Sequence, residues 1–217
     1  MIESTPNHNI NLYNELTIFG SVYPLKYRVR KPYEFVEWTE TNFDYVKYNP
    51  RKEINRFGLS ITSLDGGVSG IPDLDSIKEY NRDNNTSYSE KDFVIHTPVY
   101  DHTEISKILE PIKYEICRSH ILKLGPGGFF PAHRDFVRNY FDTFRLIIPL
   151  YNVNPPKSVF IIDNKIHYWK EGQMYFVDTA KIHYLFNASM ESSYWIVVNA
   201  FLNDKTIDYV TTNMEYH

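Results

Sequence analysis

The sequence predicts a mainly β protein built as a jelly roll, a double antiparallel sheet around one core. Five short apolar segments follow one another between positions 158 and 202, separated by turn residues such as Asp163-Asn164-Lys165 and Met190-Glu191-Ser192. Short strands at close spacing with turns between them are typical of this architecture. Aromatic residues make up 16% of the chain, a bias that favours strands and the inner walls of a barrel over a helical bundle.

The length of 217 residues is enough for one good core, so we expect a single domain over 1–217. It divides into a mixed α/β part over 1–113, a β core over 114–203 and a C-terminal tail over 204–217. Residues 1–9 are polar, and we expect them to be loose. The remaining elements predicted before the core are one or two strands within 11–30, a helix over 32–38, a strand over 56–62, a helix over 73–81 and a helix from Thr103.

From Tyr114 onward the pattern becomes that of strands. Apolar and polar residues alternate without a clean division, and both faces of the segment 114–124 are mixed. His120 shares a face with Leu122 in this alternation. We therefore expect its imidazole to face the interior of the barrel.

Charge and cysteine content limit the functions that this chain can have. The formal net charge is −4, and lysines and arginines are scattered, which argues against a nucleic-acid footprint or a polybasic membrane patch. A peptide or small-molecule partner fits this surface better. No leader pattern and no apolar run near twenty residues is present, so we expect no membrane span. A lone cysteine, Cys117, excludes an internal disulfide and indicates a reducing, cytoplasmic location.

Three side chains form the candidate metal site. His133 and Asp135 stand one residue apart after a Gly-Pro-Gly-Gly turn at 125–128, and His183 follows Asp135 by 183 − 135 = 48 positions. Residues i and i+2 of an extended segment point the same way, so His133 and Asp135 can reach one ion. Two imidazoles and one carboxylate are the facial triad that holds Fe(II) and leaves positions open for other ligands. A His-x-Asp pair without a third ligand also fits a surface turn in which the histidine and the aspartate are both solvated and bind no metal.

The surroundings of this triad resemble a known family. Their order, from Tyr114 to Leu202, is a strand ending in Leu-Gly-Pro-Gly-Gly, then His-x-Asp, Phe144–Leu150, Trp169-x-x-Gly172, Phe176-Val177-Asp178 and His183 with Asn187 and Ser189 behind it. This order resembles the double-stranded β-helix core of the 2-oxoglutarate- and Fe(II)-dependent oxygenases, most closely the aspartyl/asparaginyl β-hydroxylase and prolyl hydroxylase branches. The resemblance implies Fe(II) held by His133, Asp135 and His183, with 2-oxoglutarate and molecular oxygen as co-substrates.

Arg145 is the second residue singled out by its surroundings. A cation between Phe144 and Leu146 would be costly to bury unpaired, so it needs an anion. The guanidinium of Arg145 could reach the solvent or pair with a structural carboxylate. Alternatively, it could bind a carboxylate of 2-oxoglutarate through two parallel hydrogen bonds. An arginine at the matching position of the aspartyl/asparaginyl hydroxylase branch contacts the co-substrate, which favours the second interpretation.

The chain departs from the family after the distal histidine. Many members carry a basic residue about ten positions beyond it, which holds the far carboxylate of 2-oxoglutarate, whereas this chain has Ser192-Ser193-Tyr194. Ser193 or Tyr194 could supply a hydroxyl, or another inward cation such as Arg118 could supply the charge. His120 is a further candidate contact, and two arginines beside the triad, Arg134 and Arg138, could meet a substrate anion.

These observations predict a dioxygenase that hydroxylates a C–H bond, by resemblance on a peptidyl or free amino acid. Two alternatives remain open. A cupin-type metalloenzyme could use the same ligands without 2-oxoglutarate, and the missing basic residue after His183 favours it. A non-catalytic jelly-roll binding module would make the His-x-Asp pair incidental.

Overall fold

The computed structural model describes residues 6–49, 53–135 and 142–215, with side chains from Asn9 onward. Helices and strands alternate in its first half, and strands dominate the second. The helices are α1 Pro6–Thr17, α2 Pro32–Asn42, α3 Ile77–Asn84, α4 Thr103–Leu109 and α5 Asp204–Thr212. The strands are β1 Val22–Arg28, β2 Val46–Lys47, β3 Arg56–Ser60, β4 Thr62–Ser63, β5 Ile95–His96, β6 Ile116–Leu124, β7 Phe129–His133, β8 Thr143–Tyr151, β9 Ser158–Ile162, β10 Lys165–His167, β11 Gln173–Val177, β12 His183–Asn187 and β13 Ser193–Phe201.

Two antiparallel sheets form the body of the protein. The larger sheet has the strand order β1-β11-β8-β13-β6-β3-β2, and the smaller one has the order β10-β9-β12-β7. A separate two-stranded sheet pairs β4 with β5. The predicted mainly β, double-stranded β-helix fold with N-terminal helices is therefore confirmed. Strands from the N-terminal part, β1 and β3, pair directly with strands of the predicted core, β11 and β6.

Alternation along β8 divides the apolar side chains between two clusters. Phe144, Leu146 and Ile148 belong to the larger cluster, which also contains the buried residues of the helices. Ile147 points the other way and packs with Phe160 and other residues in the smaller cluster between the two sheets. Because successive residues of a strand face opposite sides, Arg145 shares the inner face with Ile147. The fold thus places a cation in the space between the sheets.

The N-terminal prediction was partly wrong. Residues 6–17 form helix α1, where one or two strands were expected within 11–30, and only β1 matches that expectation. Asn9, Leu12, Tyr13 and Leu16 are all buried, and their spacing of i, i+3, i+4 and i+7 is that of one helical face. The helix packs against α5, which occupies most of the predicted C-terminal tail.

The other local predictions differ mainly in their ends. Helix α2 begins at Pro32 and α4 at Thr103, as predicted. Helix α3 covers 77–84 instead of 73–81, because residues 71–74 form turns before it. Strand β6 contains an irregularity where Arg118 has a φ of 33°, and its pairing with β13 shifts register there. None of the described helices has the length and apolar character needed to cross a membrane.

Candidate metal centre

The His-x-Asp segment and the distal histidine meet at one end of the space between the sheets. His133 ends β7 and lies directly opposite His183, the first residue of β12. Asp135 follows two residues later, and its backbone N–H donates to the carbonyl of Thr179 at 3.1 Å. Asp135 Oδ1 is 3.3 Å from His133 Nε2 and 3.7 Å from His183 Nε2. One ligand atom from each of the three side chains lies within 4.8 Å of the other two.

Backbone carbonyls fix the tautomer of both histidines. His133 Nδ1 is 2.7 Å from the carbonyl oxygen of Pro131, and His183 Nδ1 is 3.0 Å from that of Lys181. A carbonyl oxygen can only accept, so each Nδ1 must carry the proton. The lone pair of a neutral imidazole is then on Nε2, the atom that faces Asp135. Such outer hydrogen bonds are what orients histidine ligands in metal sites, so the donor set fits a divalent metal ion.

A chain of buried charges holds the second oxygen of Asp135. Arg145 Nε donates to Asp135 Oδ2 at 3.1 Å, and its terminal nitrogens lie 3.4 Å from the Glu90 carboxylate. Arg118 Nη1 donates to the same carboxylate at 3.1 Å. Two guanidinium groups and two carboxylates therefore alternate, and their formal charges cancel. This arrangement leaves Oδ1 of Asp135 facing the two imidazoles.

The site's pKa values follow from this arrangement. Burial alone would raise the pKa of Asp135, but the charge of Arg145 and the hydrogen bond with His133 hold that pKa well below its usual range. Burial lowers the pKa of His183. Burial acts the same way on His133, yet its hydrogen bonds to Asp135 and to the carbonyl of Pro131 raise its pKa overall. At neutral pH Asp135 is an anion, ready to act as a ligand.

A cavity of about 110 Å³ extends from the triad into the space between the sheets. Its polar lining outside the triad comes from Tyr48, His120, Arg145 and Thr179. The hydroxyl of Thr179 is buried and has no partner among the described residues, so it can bond a molecule in the cavity. The remaining lining residues are apolar or aromatic: Leu122, Phe130, Ile147, Phe160, Leu185, Trp195 and Val197.

The structure supplies Arg145 with protein partners. Its side chain is 11% exposed and lines the cavity, as the sequence suggests. However, the anions beside it are Glu90 and Asp135, which corresponds to the structural-carboxylate alternative. His120 also lines the cavity, where burial and the charges of Arg118 and Arg145 lower its pKa to about 3. Its imidazole is neutral at physiological pH.

The two hydroxyl candidates of β13 do not reach the cavity. Tyr194 projects to the opposite face of the sheet, where its hydroxyl donates to Glu40 at 2.9 Å. The proposal of a Tyr194 contact is wrong for this reason. Ser193 faces inward but is completely buried, and its hydroxyl accepts from the indole of Trp195 at 3.4 Å. Trp195, and not Ser193, lines the cavity.

Three other arginines have different outcomes. Arg118 is bound by Glu90 and by the carbonyls of Asp73 and Asp75, and it does not line the cavity. Arg134 is exposed beside the triad. Arg138 lies outside the described residues.

Sequence reasoning missed Glu90. This residue begins a short 3₁₀ helix, Glu90–Asp92, within a polar segment that has no motif and no apolar periodicity. The only available signal was indirect, since buried Arg145 required an anion from some other part of the chain.

The fold and the site together define a class of protein, a double-stranded β-helix with a His-x-Asp and distal-His cluster at one end. Residues 96–200 match the model of the family described as aspartyl/asparaginyl beta-hydroxylase. The resemblance inferred from the sequence is thus confirmed. The match supports the interpretation that this chain is a member of the 2-oxoglutarate- and Fe(II)-dependent oxygenase superfamily. A comparison with curated proteins gives no significant sequence match.

Solved structures share the fold at low sequence identity. HygX from Streptomyces hygroscopicus, solved with nickel and 2-oxoglutarate, is 9% identical, with 88% of this chain and 87% of HygX covered and a TM-score of 0.53. HygX solved with hygromycin B as well gives a TM-score of 0.52 at the same identity and coverage. A Pseudomonas putida prolyl-4-hydroxylase is 11% identical, with 90% and 99% covered and a TM-score of 0.49. At such identities the likeness to HygX shows the fold alone.

Proposed function

We propose that this protein is an Fe(II)-dependent dioxygenase that couples the oxidative decarboxylation of a 2-oxo acid to hydroxylation of a C–H bond. The resemblance implies 2-oxoglutarate as the oxo acid and a peptidyl or free amino acid as the substrate. The observation that carries the proposal is the convergence of two Nε2 lone pairs and one carboxylate oxygen within 4.8 Å at the end of a cavity. This donor set is that of the facial triad.

The reaction balances with molecular oxygen as the oxidant. One oxygen atom enters the new hydroxyl group, and the other enters the carboxylate that the oxo acid becomes as it releases CO₂. Two electrons come from the C–H bond and two from the oxo acid. A bound Fe(II) ion would supply open positions at which oxygen and the oxo acid can bind.

The protein's own residues have three tasks in this proposal. His133, Asp135 and His183 hold the ion, and the carbonyls of Pro131 and Lys181 keep both imidazoles in the binding tautomer. Arg145 keeps Asp135 ionised and oriented. The apolar cavity walls exclude water from the reacting groups.

Iron stoichiometry of purified variants tests the metal ligands. His133→Ala and Asp135→Ala should each abolish tight Fe(II) binding under anaerobic conditions without unfolding the chain. Arg134→Ala is the matched control, because Arg134 lies between the two ligands but is exposed. Wild-type iron affinity in both ligand variants would refute the triad.

Addition of 2-oxo acids to the Fe(II)-loaded protein tests the reaction class. In the absence of oxygen, we expect the complex with the oxo acid to show a weak visible charge-transfer band. After oxygen is added, we expect release of CO₂. A cupin-type metalloenzyme would bind the metal but decarboxylate no oxo acid. A binding module would be indifferent to iron removal.

A further inference from the structure

We propose that the cavity takes a 2-oxo acid with an apolar side chain in preference to the dicarboxylate 2-oxoglutarate. This inference rests on the proposed function and specifies the co-substrate of the same site. Two observations support it: the positions of the arginines around the cavity, and the apolar side chains that line the cavity farther from the triad.

Arg145 lies at the end of the cavity that holds the triad. Arg145 is paired with Asn199 on β13 and with Val177 on β11. Its Nε is bonded to the candidate metal ligand Asp135. If an oxo acid chelated a metal held by the triad, its chelating end would be the end closer to this guanidinium. The opposite end of such a molecule would point away from Arg145, into the space between the sheets.

The deeper layers of the larger sheet are apolar. Ile147 of β8 pairs with Val197 of β13. This pair is two residues along each strand from the pair of Arg145 and Asn199, a distance of roughly 6.6 Å. Beyond them Trp195 pairs with Leu122. The cavity-lining side chains at these levels are therefore uncharged, apart from the neutral imidazole of His120 beside Val197.

The facing wall, from the smaller sheet, has the same character. One layer below the triad, Leu185 pairs with Phe160 on one side and with Phe130 on the other. The ring of Phe160 meets that of Trp195 edge to face, with centroids 5.5 Å apart. A methyl or phenyl group placed here would be in contact with hydrocarbon on both sides.

The position at which the related enzymes carry a cation is closed. Ser193 is completely buried, pairs with Leu124 and accepts from the indole of Trp195. Trp195, which donates this hydrogen bond, lines the cavity, whereas Ser193 does not. A carboxylate that reached this level would lose its water, and the described lining residues at this level include no cation, which is strongly unfavourable.

Other cations close to the cavity have structural partners. Arg145 pairs with Asp135 and Glu90, and Arg118 pairs with Glu90, so the two positive charges are already matched by two negative ones. Arg56 stacks on the ring of Phe130, with its guanidinium carbon 4.3 Å from the ring centroid. Phe130 lines the cavity, whereas Arg56 does not. Arg56 or Phe130 would have to move before Arg56 could reach a second carboxylate in the cavity.

The test compares two oxo acids that differ at the far end alone. In 5-methyl-2-oxohexanoate an isopropyl group replaces the second carboxylate of 2-oxoglutarate, while the chelating end is the same. Each is titrated against the protein loaded with Mn(II), which does not support turnover, and binding is followed by thermal melting and tryptophan fluorescence. We expect 5-methyl-2-oxohexanoate to bind roughly tenfold more tightly or better.

Equal or tighter binding of 2-oxoglutarate would overturn the inference and leave the proposed function intact. If Arg56→Met then removed that preference, Arg56 would be identified as the partner of the second carboxylate. Binding of Mn(II) without binding of either oxo acid would overturn both the inference and the proposed function.

A pair of variants tests the closed position independently. Ser193→Arg places a cation where the related enzymes carry one, and it should shift the preference toward 2-oxoglutarate. Tyr194→Arg adds the same charge on the opposite face of the sheet and should leave the preference unchanged. If Ser193→Arg shifts the preference no more than Tyr194→Arg does, the inference is refuted. The wild-type comparison decides the matter even where Ser193→Arg fails to fold.

Discussion

Arg145 and Glu90 show how a buried charge is kept at this site. Arg145 lies on β8 and faces the space between the sheets, where its side chain is 11% exposed and an unpaired cation would be costly. Glu90 and Asp135 solve this problem, and the pKa of Glu90 is lowered because the charges of Arg145 and Arg118 outweigh the opposing effect of its burial. The same contacts orient a candidate metal ligand.

The first prediction concerns this pair. Arg145→Met should lower the free energy of unfolding by about 3 kcal/mol, because it leaves Asp135 and Glu90 close together without the cation between them. Urea unfolding measures the loss, and the exposed Arg134→Met should change stability by less than about 0.5 kcal/mol. Combining Arg145→Met with Glu90→Gln should recover part of the loss. Strict additivity of the two changes would contradict the pairing.

His120 gives a prediction of pH dependence. Its pKa falls from 6.5 to about 3 in the folded protein, because burial and two nearby arginines disfavour the imidazolium. Below pH 6.5 the unfolded chain binds a proton that the folded chain does not. Stability should therefore decrease as pH falls from 6.5 toward 3, by up to about 1.4 kcal/mol per pH unit from this residue.

Urea unfolding of wild type and His120→Asn at several pH values above 5 measures this contribution. The variant should lose less stability than wild type over the same interval. Parallel curves would show that His120 is not buried in its neutral form.

At the scale of elements, the turn before β7 fixes where the first two ligands lie. Gly127 has a φ of 69°, a conformation that favours glycine. Gly128 has a different constraint, since a Cβ there would collide with the backbone carbonyl of Asn55. The same carbonyl accepts from the N–H of Gly125 at 2.9 Å. The turn is thus held against the residue that precedes β3.

This geometry predicts different effects for two similar substitutions. Gly128→Ala should cost about 3 kcal/mol of stability, because the turn must move away from Asn55, and should also weaken Mn(II) binding by displacing β7. Gly127→Ala should cost about 1 kcal/mol through its φ alone, since a Cβ there meets open space. Unfolding in urea and Mn(II) titration measure both effects. A larger loss for Gly127→Ala would refute the close approach.

At the scale of the whole molecule, the candidate metal centre joins both sheets at one end. His133 and His183 belong to the smaller sheet, and Asp135 is bonded to Arg145 on the larger sheet. A metal ion would bind only the folded chain, because the three ligands lie close together only there.

Metal binding should therefore stabilise the fold by mass action. Mn(II) at a hundredfold excess over its dissociation constant should add about 2.7 kcal/mol, or roughly 5–10 °C in melting temperature for a chain of this length. A chelator should reverse the shift, and Asp135→Ala should not show it. An equal shift in Asp135→Ala would place the metal elsewhere on the protein.

The sequence by itself determined those features that depend on local pattern. Alternation and turn residues predicted the five strands after position 158, and the prolines and apolar spacing predicted where α2 and α4 begin. The order of motifs around His133, Asp135 and His183, which resembles that of a known family, predicted that these side chains come together. In each case the physical signal lies within a few residues, or in an order of motifs along the chain.

Only the tertiary structure decided which groups share the site with the triad. Glu90 reaches Arg145 from a separate part of the chain, with no pattern in the sequence that joins them. Pairing irregularities in β6 and β13 alter the neighbours across strands, and Tyr194 lies behind the sheet with Glu40. Alternate side chains of a strand point to opposite faces of the sheet. One inserted residue therefore exchanges the faces predicted for all the side chains beyond it. Register of this kind is fixed by packing between distant segments, which the order of residues alone does not contain.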